Sequence, residues 1–188
     1  MGRVEVVEYR PAWPARFAEL RDAYADALRI ADVPVVAIEH VGSTAVPGLA
    51  AKPVIDVDVV VGATEVDAAA ALGRIGFRRS AATGVPGRVA FVTPERFRPS
   101  NTYVVVDGSL ALRNHLAVRD VLRADPSLRD EYAAVKRHAA ADAADIDAYL
   151  AMKEAVLTRV LQRAGLSAAD LAGIAAANRA IAKRGALG

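Results

Sequence analysis

Residues 54–61 read Val-Ile-Asp-Val-Asp-Val-Val-Val, six β-branched side chains around two aspartates. Side chains of this kind fit a pleated strand and lose rotamer freedom in a helix. An unbroken apolar run of this length predicts a strand buried on both faces, in the interior of a sheet. Alternate strand positions point the same way, so Asp56 and Asp58 leave by one face, about 6.5–7 Å apart. Burying even one unpaired carboxylate costs several kcal/mol. Two on one face require a compensating cation. A second apolar run, Val35–Val41, ends in Gly42-Ser43 just upstream. Strand, Gly-Ser turn and Asp-x-Asp strand together suit a metal-bound polyphosphate.

The remaining pattern sorts into two halves. Val4–Val7 reads as a short edge strand or extended chain. Pro11 and Pro14 open a helix with Phe17, Leu20, Tyr24 and Leu28 at helical spacing, expected to stop at Pro34. Thr64 is the expected N-cap of a helix running to Ile75, which Gly76 ends. Short strands follow at 77–79, 88–92 and 103–106. Everything after Asp107-Gly108-Ser109 reads helical: 109–124, 127–141, 145–164 and 167–183. Pro126 sits at the first position of the second of these, and Ser167 with Asp170 makes a capping-box start for the last. The fold class is therefore α+β, with an α+β core over 1–108 and a helical region over 109–188.

Charge and cysteine usage exclude several functions. Lys and Arg number 24 against 22 Asp and Glu, a net charge of +2, too weak a field for generic nucleic-acid binding. The chain has no cysteine, which excludes disulfides and thiolate zinc sites and fits a reducing, cytoplasmic setting. No stretch approaches the roughly 18 apolar residues of a membrane span, and the N-terminus lacks the apolar segment of a signal peptide.

Each candidate site residue has a bland reading beside the functional one. Gly42 and Ser43 can cradle phosphate with backbone amides, or form an ordinary turn. Asp56 and Asp58 can hold Mg²⁺ together with substrate phosphates, or pair with Lys52 or an arginine. Lys52 can touch phosphate or lie in solvent. His40 can meet a ligand or stay structural. His115 and Arg119 share a helix face at i, i+4, with Arg113 in the same helix, and either supply positive charge or face water. Tyr149 and Lys153 pair in the same way; a ring stacked on a nucleobase competes with a core position.

The segment His40-Val41-Gly42-Ser43-Thr44-Ala45-Val46-Pro47-Gly48-Leu49-Ala50-Ala51-Lys52-Pro53-Val54-Ile55-Asp56-Val57-Asp58 closely resembles the signature of the GrpB family, also called UPF0157. Arg113-Asn114-His115-Leu116 to Arg119-Asp120, Glu131-Tyr132 to Lys136, and Tyr149 to Lys153 support the resemblance, which runs from about residue 5 to about 164. That family looks like a branch of the nucleotidyltransferase superfamily, and its domain also occurs fused behind dephospho-coenzyme A kinase. The resemblance implies a mixed sheet flanked by helices, a Gly-Ser turn for the triphosphate (Gly42, Ser43) and metal-binding catalytic acids (Asp56, Asp58). It also implies a third acid on a later strand. Here Tyr103–Val106 has none in its interior, and Asp107 at its end is the nearby candidate. Family members carry histidines around this strand, where this chain has Asn101 and Tyr103.

Two functions follow as expectations. The first is Mg²⁺-dependent transfer of a nucleotidyl group from a nucleoside triphosphate to an acceptor. The alternative is a non-catalytic module that holds a nucleotide or coenzyme A-like phosphate compound and acts through a protein partner. Distance of Asp107 from the Asp pair favours the second. Homodimerisation through the alanine-rich C-terminal helix is a further reading.

Overall fold

Strand β2, Ile55–Val61, lies between β1, Ala37–Val41, which is antiparallel to it, and β5, Ser100–Val106, which is parallel. Packing on both faces, by helices described below, explains why nearly every residue of β2 is apolar. Strands β4, Arg88–Val92, and β3, Arg78–Arg79, complete a mixed sheet of order β1-β2-β5-β4-β3. The computed structural model describes residues 5–62, 65–80, 85–142 and 146–185. Side chains of 142–151 and 179–185 fall outside that description, as does the expected cap Thr64.

Helices α1, Trp13–Ile30, and α2, Val66–Arg74, cover one face of the sheet. Val57, Val59, Val61 and Val104 pack there with Leu20, Tyr24, Leu28, Leu72 and Phe77. The Tyr24 hydroxyl is buried and satisfied by Thr102 Oγ1 at 2.9 Å, as a buried phenol requires. Helix α1 stops before Pro34. Asp32 adopts φ 53°, its N–H bonds Arg29 O, and Val33 N–H bonds Leu28 O. That is a Schellman stop with aspartate in the usual glycine position.

Helix α3, Leu110–Ala124, lies on the other face, where Ala111 and Leu112 pack against Val60 and Val105. Helices α4, Pro126–Asp142, and α5, Ile146–Arg163, extend this layer. Leu122, Tyr132, Ala133, Val156 and Val160 bury Val46, Leu49 and Ala50 of the loop between β1 and β2. Helix α6, Ala168–Gly185, starts with the expected reciprocal cap: Asp170 N–H bonds Ser167 Oγ and Ser167 N–H bonds the Asp170 carboxylate, both at 3.1 Å. The boundary drawn at residue 108 falls between β5 and α3, but apolar clusters cross it. The expected N-terminal edge strand is a single bridge, Val7 with Ala51. No helix among the described residues is long and apolar enough to cross a membrane.

Candidate functional site

The turn after β1 is shaped by contact with β2. Gly42 has φ +70° and ψ −169°, a conformation essentially reserved for glycine. A Cβ on Gly42 would overlap the Asp56 carboxylate, so only glycine lets this turn close over the acid. Ser43–Ala45 forms one 3-10 turn. Arg123 clamps it from α3 with bonds of 2.9 and 2.7 Å to Ala45 O. Thr44 gives its hydroxyl proton to Val54 O at 3.2 Å, so His40 Nε2, 3.1 Å away, must be the donor to Thr44 Oγ1. His40 also stacks on Phe17, with ring centroids 4.7 Å apart. Burial, then Arg123 and Arg119, lowers its pKa to about 4. It is a neutral brace for the turn.

Cross-strand partners share a face, which sets the acids in two rows. Asp56 lies between Val41 and Asn101, and Asp58 between Glu39 and Tyr103. Asn101 Nδ2 donates to Asp56 Oδ1 at 2.8 Å. Burial pushes the Asp56 carboxyl up, partly offset by the Asn101 bond. Asp58 is wholly buried; His115 Nδ1 donates to its Oδ2 at 2.7 Å, and its Oδ1 has no hydrogen-bond partner. Glu39 is taken up by Arg119 at 2.6 Å.

A cavity of about 140 Å³ opens between the Ser43–Thr44 turn and α4 and α5, with Asp56 and Asn101 in its wall. Lys52, Lys136 and Lys153 all face it. Lys136 is 2% exposed, and its Nζ, 5.2 Å from the Tyr132 ring centroid, has no hydrogen-bond partner. Burial, then Lys153, brings the Lys136 pKa down to about 7, against the pull of Asp56. Burial, then Lys52, brings Lys153 down to about 8. Among the described residues, three amines face one carboxylate across this cavity, a charge balance that suits an anion. The unpartnered Asp58 oxygen and the donor set of Asp56 and Asp58 fit one hard cation that brings phosphate and water oxygens as further ligands. No cluster of three acidic, histidine or cysteine ligands occurs among the described residues.

Of the sequence candidates, Ser43, Lys52, Asp56 and Lys153 meet at this cavity, and Gly42 supports it from behind. Asp58 and His115 lie one register step away, while His40 and Arg119 brace the turn from outside. Arg113 is committed elsewhere, to Asp170 at 2.6 and 3.2 Å. The Tyr149 side chain lies outside the described residues. Asp107 sits just past the far end of β5, its N–H bonded to Val61 O, about 20 Å along the strand from Asp56. Lys136 and Thr44 were not among the candidates. The signal for Lys136 was its spacing: with Tyr132, Ala133, Ala139 and Ala140 it falls on the buried stripe of α4.

The overall fold is shared with known proteins. The family model described as GrpB protein matches residues 3–163. The chain belongs to the GrpB family. It is 32% identical over 156 residues to UPF0157 protein YqkA of Bacillus subtilis, covering 81% of this chain but 44% of that protein's length. The crystal structure of GrpB from Enterococcus faecalis superposes with a TM-score of 0.72 at 34% identity, covering 85% of this chain and 96% of that one. Cid1 in complex with its short product ApU superposes with a TM-score of 0.51 at 18% identity, covering 71% of this chain and 42% of that one. The mixed sheet flanked by helices is thus the GrpB fold, and Cid1 shares that fold over the part that superposes. Helix α6 lies beyond the GrpB match.

Proposed function

We propose that the cavity binds the polyphosphate of a nucleoside triphosphate together with Mg²⁺, in a nucleotidyltransferase-like site. The observation that carries this reading is the buried, unpartnered Lys136 amine beside Lys153, Lys52 and the Ser43 turn. A buried amine without a partner is costly, and a bound phosphate removes that cost. Asp56 and Asp58 would hold Mg²⁺, whose contribution is to neutralise phosphate charge. In transfer, an acceptor hydroxyl would lose its proton to water as its oxygen bonds the α-phosphorus, the α–β bridging P–O bond breaks, and pyrophosphate leaves. The three lysines stand where they would neutralise the leaving group.

A second reading, binding without efficient turnover, is favoured by Asn101. It occupies the β5 position beside Asp56 where a carboxylate could join the pair, and Asp107 is too remote to substitute. The chain then holds the nucleotide, or a coenzyme A-like phosphate compound, without transferring a group from it.

Calorimetric titration of Mg²⁺-ATP, -GTP, -CTP and -UTP tests the site. At least one should bind the wild type, about tenfold or more weaker to Lys136→Met. In Asp56→Asn the affinity should no longer depend on Mg²⁺. Equal binding by wild type and both variants, or by none, removes the proposal. Pyrophosphate release in the presence of acceptor hydroxyl compounds then separates transfer from binding alone.

A further inference from the structure

A second cavity, about 440 Å³, lies away from the lysines, between the start of β4, the start of α3 and helix α6. Its volume falls in the range of small-molecule sites, roughly 300–1,000 Å³. Leu110, Val106 and Val85 meet Ile174 and Ala177 of α6 to form an apolar wall. Two features seat α6 closely enough to enclose the space. Arg113 forks onto Asp170. Gly173 faces Leu110, where a Cβ would come within 2.9 Å of Leu110 Cδ2.

Among the described residues, Arg88 is the one side chain of fixed charge in this wall. Arg88 lies with its guanidinium 4.8 Å from the centroid of the Tyr103 ring, and has no carboxylate partner among the described residues. Arg113, Arg119 and Arg137 each meet an acid. Asn114 and His115 line the same cavity, and among the described residues no acidic side chain does. An apolar hollow with one unpaired guanidinium matches an apolar molecule with one anionic group. We propose that this cavity is a second ligand site, for a small, largely apolar molecule carrying a single acid group that Arg88 receives. The site uses none of the residues of the lysine cavity. It meets the acid pair through His115, which forms part of this wall and bonds Asp58, and through Tyr103, which lies under Arg88 and beside Asp58 in the sheet. The proposal therefore stands or falls separately from nucleotide binding.

The test uses the full chain and 8-anilinonaphthalene-1-sulfonate, an aromatic body with one sulfonate. Fluorescence titration should show one saturable site, weakened about tenfold by Arg88→Gln, lost in Ala177→Trp, which fills the hollow, and unchanged in Lys136→Met. N-phenyl-1-naphthylamine, which lacks the sulfonate, should bind the wild type more weakly and be indifferent to Arg88→Gln. That comparison decides the matter even if Ala177→Trp fails to fold. Non-saturable fluorescence, equal affinity of the wild type and Arg88→Gln for the sulfonate, or loss in Lys136→Met overturns the proposal.

Discussion

Lys136 shows how one residue ties stability to binding. In the folded chain its pKa is lowered from 10.5 to about 7, chiefly by burial and next by Lys153, with Arg137 in the same direction and Asp56 opposed. The unfolded chain therefore holds a proton that the folded chain releases across the window from about pH 7 to 10.5. Stability rises with pH wherever the unfolded state binds more protons, so the penalty of this lysine is fullest below pH 7 and fades toward pH 10.5. At roughly 1.4 kcal/mol per pKa unit the penalty reaches several kcal/mol. Lys136→Met keeps the apolar stem and removes the charge. It should raise the urea midpoint of the free protein, with a gain at pH 6.5 that is clearly larger than at pH 9.5, while weakening anion binding. A gain equal at both pH values would show that the amine is not desolvated as described. His40 has the same kind of shift to a different end: its depressed pKa keeps the ring neutral, and the Thr44 hydroxyl, which donates to Val54 O, places the ring's one proton on Nε2.

At the level of elements, the decisive contact is the β1 turn against β2. Gly42→Ala forces a side chain into a glycine-only conformation and into the Asp56 carboxylate. We expect a loss of about 2–4 kcal/mol in urea unfolding, with backbone strain contributing about 1–3 of it. In an Asp56→Ala background the same substitution should cost less by on the order of 1 kcal/mol, the coupling expected of residues in contact. An identical cost in both backgrounds would mean that Asp56 does not set the glycine requirement. Legibility in the sequence follows the same physics. Strand β2 was readable because burial on both faces leaves an unmistakable apolar run, and the helices of the second half because their periodicity is regular. The first half of β5 was not: Ser100, Asn101 and Thr102 look like turn residues, and become strand because they pair in register with Ile55, Asp56 and Val57. The same tertiary pairing brings Asn101 to Asp56, so its role could not be read from local composition. The stop of α1 follows the same physics: Pro34 is the conspicuous breaker in the sequence, and Asp32 makes the turn just before it.

Across the whole molecule, the lysine cavity exists only because the two halves of the chain close on each other. The sheet half supplies Ser43, Lys52, Asp56 and Asn101, and the helical half supplies Lys136 and Lys153. Neither half shields its apolar surface alone. Val46, Leu49 and Ala50 are covered by α3, α4 and α5, and Val60 and Val105 by the start of α3. Arginines reinforce the junction, from Arg119 to Glu39 and from Arg123 to Ala45 O. A division at residue 108 therefore describes topology, and we expect it not to describe folding. Scanning calorimetry should give one transition with matching van't Hoff and calorimetric enthalpies, the sign of all-or-none unfolding. A saturating Mg²⁺-nucleotide should move that single transition upward as a unit, because a ligand held by both halves stabilises only the joined state. Two resolved transitions, with the ligand raising just one, would instead assign the site to one half and make the other a separate domain.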